Sequence, residues 1–193
     1  MIYRKMYRGY WETKNITVKE ADGVKNVSAA FFKDMIFMYF ETERDDISPE
    51  AVLSDGLKSF PDGRKWENMS EIFHYSKPLS REHWERKEKK TPLWRFNALK
   101  PEGISKYIYY HFQYQEEYPG DGDKYGIIFN IENIIVMYLE APEAAETEKI
   151  PGMLNTKNSP RHEAWQQIMG GLFKPDENGT VGWKVMENVK WSN

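Results

Sequence analysis

Two six-residue segments far apart in the chain share one pattern: IFMYFE at 36–41 and IVMYLE at 135–140 carry Ile, Met, Tyr and Glu at the same places. Each comes after an apolar, β-branched or aromatic run and a short polar turn. The runs are 27–32 before Lys33-Asp34, and 125–129 before the turn NIEN at 130–133. Two apolar runs around a polar turn predict a β-hairpin, so strands are expected over 27–32 with 35–40 and over 125–129 with 134–139. The repetition continues downstream. Glu50-Ala51 is followed by Phe60 as Glu163-Ala164 is by Phe173, and each set then runs through Pro-Asp, a glycine and Trp-x-x-Met. The last pairs are Trp66 with Met69 and Trp183 with Met186.

The pattern predicts an internal duplication, with one copy at 1–76, a charged helical linker at 77–93 and the other copy at 94–193. The period is too long for a solenoid, and two copies of one fold can pair within a chain as subunits pair in a dimer. The aromatic segment 3–11 reads as a strand opening the first copy. Ser48-Pro49 and Ser159-Pro160 each place a serine N-cap before a proline at the first helical position, where the missing N–H costs nothing. Val52, Leu53, Leu57 and Phe60 form an apolar face at helical spacing in the first copy, as do Trp165, Ile168, Met169, Leu172 and Phe173 in the second. Proline and glycine after Phe60 and Phe173 end both helices, and strands are expected at 69–75 and 183–191. The linker has one large apolar residue, Trp84, and i,i+4 pairs Glu82 with Arg86 and Glu85 with Lys89, as in a solvated helix.

Composition narrows the classes of function. With 27 basic and 30 acidic residues the net charge is −3, which gives no global attraction to nucleic acid or an anionic membrane, and the basic run at 87–90 is interrupted by Glu88. The chain has no cysteine, so thiolate catalysis, disulfides and Cys-ligated zinc are excluded. No stretch has the continuous apolar core of a signal peptide or a spanning helix, and a soluble, cytoplasmic protein is expected. The glycosylation-like Asn-x-Ser/Thr triplets at Asn15, Asn26, Asn68 and Asn178 are read as chance. His74, His83 and His162 lack partners at ligand spacing, no metal cluster is found, and no phosphate-cradling loop or nucleophile elbow occurs. No cofactor is expected. Gly120-Asp-Gly-Asp reads as a flexible turn.

The stretch 104–117 leaves two readings open. Ile108, Tyr110, Phe112 and Tyr114 alternate with Tyr109, His111 and Gln113 as in a strand, yet Tyr107, His111 and Gln115 are also four apart, as on one face of a helix with Ile104 a turn earlier.

LKPE at 99–102, Tyr107, His111 and Glu117 resemble, spacing for spacing, the first strand and helix of the L-rhamnose mutarotase family. The order of the later elements is similar too: a glycine-marked loop, a Tyr-containing strand, a turn, a second strand, and a helix with Trp165 and Met169 four apart. The resemblance runs from Trp94 to the C-terminus. It departs at Gln115-Glu116, where the family has Trp-Pro, and the first copy has neither an LKPE-like segment nor a histidine matching His111. The resemblance implies an α+β fold of tandem ferredoxin-like repeats in an intrachain arrangement like the family's dimeric α/β barrel, with at most one polar site. It implies interconversion of the anomers of a monosaccharide, which needs a base for the anomeric hydroxyl and an acid for the ring oxygen. His111 would be the catalytic acid/base, Tyr107 would hold a sugar oxygen, and Trp165 would stack on the sugar ring. The alternative is a non-catalytic module binding a small polar ligand or a partner through its aromatic faces.

Overall fold

A computed structural model describes residues 1–18 and 21–191; 19 and 20, in the expected first copy, and 192 and 193, at the end of the second, lie outside. The chain divides into two units. One comprises Met1–Ser70, Pro78–Trp94 and Met186–Asn193, the other Glu71–Lys77 and Arg95–Val185. The fold class is α+β, and every strand pairing that the structure defines residue by residue is antiparallel.

In the first unit β1 (Tyr3–Tyr10), β2 (Val24–Phe32), β3 (Met35–Thr42), the start of β4 (Glu67–His74) and β9 (Glu187–Trp191) take the order β4-β1-β3-β2-β9. The β2–β3 hairpin closes on Lys33-Asp34, with Phe32 opposite Met35, Ala29 opposite Met38 and Ser28 opposite Tyr39. Lys33 takes the left-handed conformation, φ 56°, that so tight a turn requires. Val27, Ala29 and Phe31 of β2 and Ile36, Met38 and Phe40 of β3 point to one face and are buried with Val52, Leu53, Leu57 and Trp66.

The helix expected after Ser48 is a single turn, α1 (Pro49–Val52). Ser48 does cap it, accepting from the Glu50 N–H at 3.3 Å. The periodicity then loses to tertiary contacts. The Leu53 carbonyl accepts from the Trp66 indole at 2.8 Å. Gly56 turns left-handed at φ 74°, where its carbonyl accepts from Glu12 N at 2.7 Å and Lys58 N reaches the Tyr10 carbonyl at 2.8 Å. Val52, Leu53 and Leu57 are still buried, but on an irregular segment tied to the end of β1. The segment 77–93 contains one helical turn, α2 (Arg81–Trp84), with Trp84 buried.

In the second unit the end of β4, the end of β5 (Thr91–Ala98), β6 (Ile127–Ile131), β7 (Ile134–Ala141) and β8 (Lys184–Val185) take the order β8-β5-β7-β6-β4. The β6–β7 turn, Glu132-Asn133, repeats the first in register: Ile131 faces Ile134, Ile128 faces Met137 and Ile127 faces Tyr138, and Glu132 has φ 52°. The Tyr39 hydroxyl donates to Glu41 at 2.7 Å and the Tyr138 hydroxyl donates to Glu140 at 2.9 Å, so the shared Tyr-x-Glu makes one contact twice.

The stretch 104–117 is helix throughout, α3 (Ile104–Glu117), entered through a 3₁₀ turn at Pro101–Gly103. The second long helix is α4 (His162–Leu172). Several expected boundaries move, β2 and β4 each starting two or three residues early. The strand placed at 125–129 is β6, two residues later, and the one placed at 183–191 divides into β8 and β9 around Met186, whose N–H goes to the Trp94 carbonyl at 2.9 Å. Ser159 does not cap α4. Its N–H is donated to the Glu117 carboxylate at 2.7 Å, and the helix starts three residues later behind Arg161, with no capping side chain.

Candidate functional site

LKPE builds the frame of the site. Leu99 is fully buried, its N–H reaches the Asn133 carbonyl at 2.7 Å, and the Asn133 side chain returns a hydrogen bond to the Leu99 carbonyl at 3.1 Å. Lys100 closes the far end of α4, with its N–H on the Leu172 carbonyl at 2.9 Å and its ammonium on Gly171 at 2.8 Å, where a helix leaves carbonyls unpaired. Pro101 then starts the turn into α3.

Facing turns of α3 and α4 bring Tyr107, His111 and Trp165 together around a cavity of about 290 Å³, which Phe73, Tyr75, Tyr114, Asp121 and Arg161 also line. The Tyr107 and His111 rings stack with centroids 4.0 Å apart, and Trp165 meets His111 edge-on at 4.8 Å. Trp165 also packs on Tyr114 at 5.1 Å, so it serves both the helix stripe and the cavity wall.

His111 is 4% exposed, and its Nδ1 lies 2.9 Å from the Tyr107 carbonyl. A carbonyl only accepts, so Nδ1 carries the proton and Nε2 keeps its lone pair. No described residue hydrogen-bonds Nε2. Burial, only partly offset by the Tyr107 carbonyl, lowers the His111 pKa to about 4. Burial also holds the Tyr107 phenol well above its ordinary value, so it stays a hydrogen-bond donor.

The depressed pKa has a sign in stability. Above about pH 6.5 the imidazole is neutral in both states; between there and pH 4 the unfolded chain takes a proton that the folded one refuses, which costs up to roughly 3 kcal/mol. Urea melts at about pH 7 and 4.5 should show this loss, and His111→Gln should have a shallower dependence. Glu117, whose pKa is about 2, loses its contribution at lower pH.

At the rim, the Tyr114 hydroxyl and the Arg161 guanidinium both donate to Asp121 Oδ2, at 2.8 and 2.9 Å. Arg161 lies over the Tyr118 ring at 4.2 Å. Glu117, although it matches the family spacing, does not line this cavity. Burial raises its pKa, but hydrogen bonds from Thr156 and Ser159 outweigh that and hold it ionised, so its task is to anchor the segment before α4.

Sequence reasoning missed Phe73, Tyr75, Tyr114, Asp121 and Arg161. The one local signal was Gly122 and Gly126, since a glycine beside a strand marks a close approach, and the close neighbour here is the Tyr75 ring.

The first unit has a larger cavity, about 500 Å³, around Glu41, Arg86 and Trp84. Its buried carboxylate is already taken: Arg86 holds Glu41 at 2.6 and 2.8 Å, with Tyr39 at 2.7 Å and Asn26 at 2.8 Å. Those bonds outweigh the burial that would raise the Glu41 pKa and keep it low, as in a structural ion pair. Chemistry therefore favours the smaller cavity.

Among the described residues no three His, Asp or Glu side chains converge as metal ligands, and no helix is long and apolar enough to cross a membrane. No family model, curated protein or solved structure matches this chain.

Proposed function

We propose that the cavity of the second unit takes up a monosaccharide-sized ring and that His111 exchanges protons with it, a mutarotase-like activity. The observation that carries this reading is a neutral, buried imidazole whose unpaired Nε2 belongs to a cavity walled by aromatic rings. Apolar ring walls suit the C–H face of a sugar, and the Tyr107 hydroxyl supplies a hydrogen bond to a sugar oxygen. Nε2 takes the anomeric hydroxyl proton, the ring C–O bond breaks as the carbonyl forms, and the proton is returned to the ring oxygen. Reclosure on the other carbonyl face gives the other anomer. A charged imidazole of low pKa is a strong acid, which suits the return step.

The proposal includes a tandem duplication of a ferredoxin-like unit, with copies at 1–76 and 94–193 joined by 77–93 and paired as the likeness to the rhamnose mutarotases implies. The like strand orders, the equal hairpin registers and the repeated Tyr-x-Glu contact support it. Among the described residues the first copy has the single turn α1 and no long helix, and its sequence has no His111 counterpart, so the proposal places the site in the second copy.

Saturation-transfer NMR on rhamnose, fucose, galactose and xylose tests the activity. Anomer exchange should exceed the buffer rate for at least one sugar, and His111→Ala should remove most of the excess, an acid/base contribution of ~10²–10⁴-fold. A second reading, binding without turnover, is favoured by the weak basicity of His111; it predicts that one of these sugars binds with no faster exchange.

A further inference from the structure

We infer that the ring this cavity takes carries a carboxylate, held by Arg161 at the N-terminus of α4, so that the ligand class is a hexuronic acid rather than a neutral hexose. The inference rests on the ring-binding reading. Three features line this cavity together. The 11-residue α4 presents its first turn there, and no side chain caps it, so its unpaired N–H groups and dipole favour an anion. Arg161, the residue before that turn, adds a guanidinium with five N–H donors in a fork that fits a carboxylate, with Asp121 and Tyr118 as its present partners. His111, 4% exposed, lines the same cavity with its Nδ1 on the Tyr107 carbonyl, which leaves Nε2 to accept from a hydroxyl of that ligand.

The spacing suits one molecule. Arg161 precedes the first turn of α4 and Trp165 ends it, and both line the cavity, so a ring lying beside Trp165 and His111 places a carboxylate substituent toward Arg161. Asp121 opposes this charge and is 47% exposed on its side chain, able to yield its place on the guanidinium. A hexuronic acid is ionised at neutral pH, and its ring keeps the anomeric hydroxyl that the proposed proton exchange needs.

Galacturonate and galactose, titrated against the full chain with tryptophan fluorescence as the readout, separate the possibilities. Galacturonate should bind about tenfold tighter or more, the size of a hydrogen bond to a charged group. Arg161→Gln should bring the two affinities together, with the larger loss on galacturonate, and Asp121→Asn, which keeps an acceptor for Tyr114, should widen the gap. Equal affinities in the unaltered chain, or a preference that survives Arg161→Gln, would overturn the acidic ligand and leave neutral ring binding in place. Binding of neither sugar, with no response to rhamnose, fucose or xylose, would overturn both.

Discussion

Gly122→Ala should destabilise the second unit by about 2–4 kcal/mol, a cost in the range of severe overpacking. A methyl at this position would overlap the Tyr75 ring, 2.5 Å from Cε1 and 2.7 Å from Cγ. Tyr75 has nowhere to go. Its N–H is bonded to the Gly126 carbonyl at 3.2 Å, its carbonyl accepts from Gly120 at 2.6 Å, and a Cβ at Gly126 would stand 2.8 Å from the other edge of the ring. The contact is near the root of the side chain, so a rotation of the ring about χ2 does not relieve it. Tyr75→Ala removes a cavity wall but should cost less in the Gly122→Ala background than alone, which urea melts of the double-mutant cycle would show as a coupling of about 1 kcal/mol or more. Additive losses would mean that the two residues do not meet.

Glu117→Leu should cost about 1–3 kcal/mol, since it leaves the buried Ser159 N–H without its acceptor. The Glu117 carboxylate accepts from the Ser159 N–H at 2.7 Å, from the Thr156 hydroxyl, and from Gln113 at 3.1 Å, while its carbonyl takes the Lys157 ammonium at 2.9 Å. Its neighbour Glu116 holds Met153 N at 2.9 Å. The two carboxylates thus fasten a stretch without helix or strand to the end of α3, and that stretch delivers Arg161 and α4 to the cavity. Amide exchange should therefore speed up at 153–160 in Glu117→Leu, whereas Glu117→Gln, which still accepts, should lose less stability. Unchanged protection at Ser159 in the leucine variant would contradict this anchoring role.

These contacts explain what could be read from the sequence. Both hairpins were legible because the information is local: apolar runs, a polar two-residue turn, and Ile-x-Met-Tyr-x-Glu repeated in register. The helix after Ser48 was not, because a left-handed glycine and a carbonyl given to Trp66 are decided by residues distant in sequence. Ser159 looked like a cap for the same reason in reverse: nothing near it announces that Glu117, 42 residues earlier, takes its N–H. The segment 104–117 carried strand propensity and helical spacing together, and burial of Tyr107 and His111 on one face settled it as helix. Tyr107, His111 and Trp165 were singled out through a likeness to a known family, and the structure brings all three to one cavity. The rim of Tyr114, Asp121 and Arg161 had no such guide.

NMR of the histidine ring resonances, assigned with His111→Gln, tests the claim that His111 is a buried neutral base on the cavity of the second unit. The expected result is a His111 titration midpoint near 4, and a shift of its ring signals at neutral pH when the best-binding sugar is added, with His74 and His83 unmoved. A midpoint near 6.5 would show the ring to be solvated, and His111 signals indifferent to every neutral and acidic sugar tried would contradict the claim.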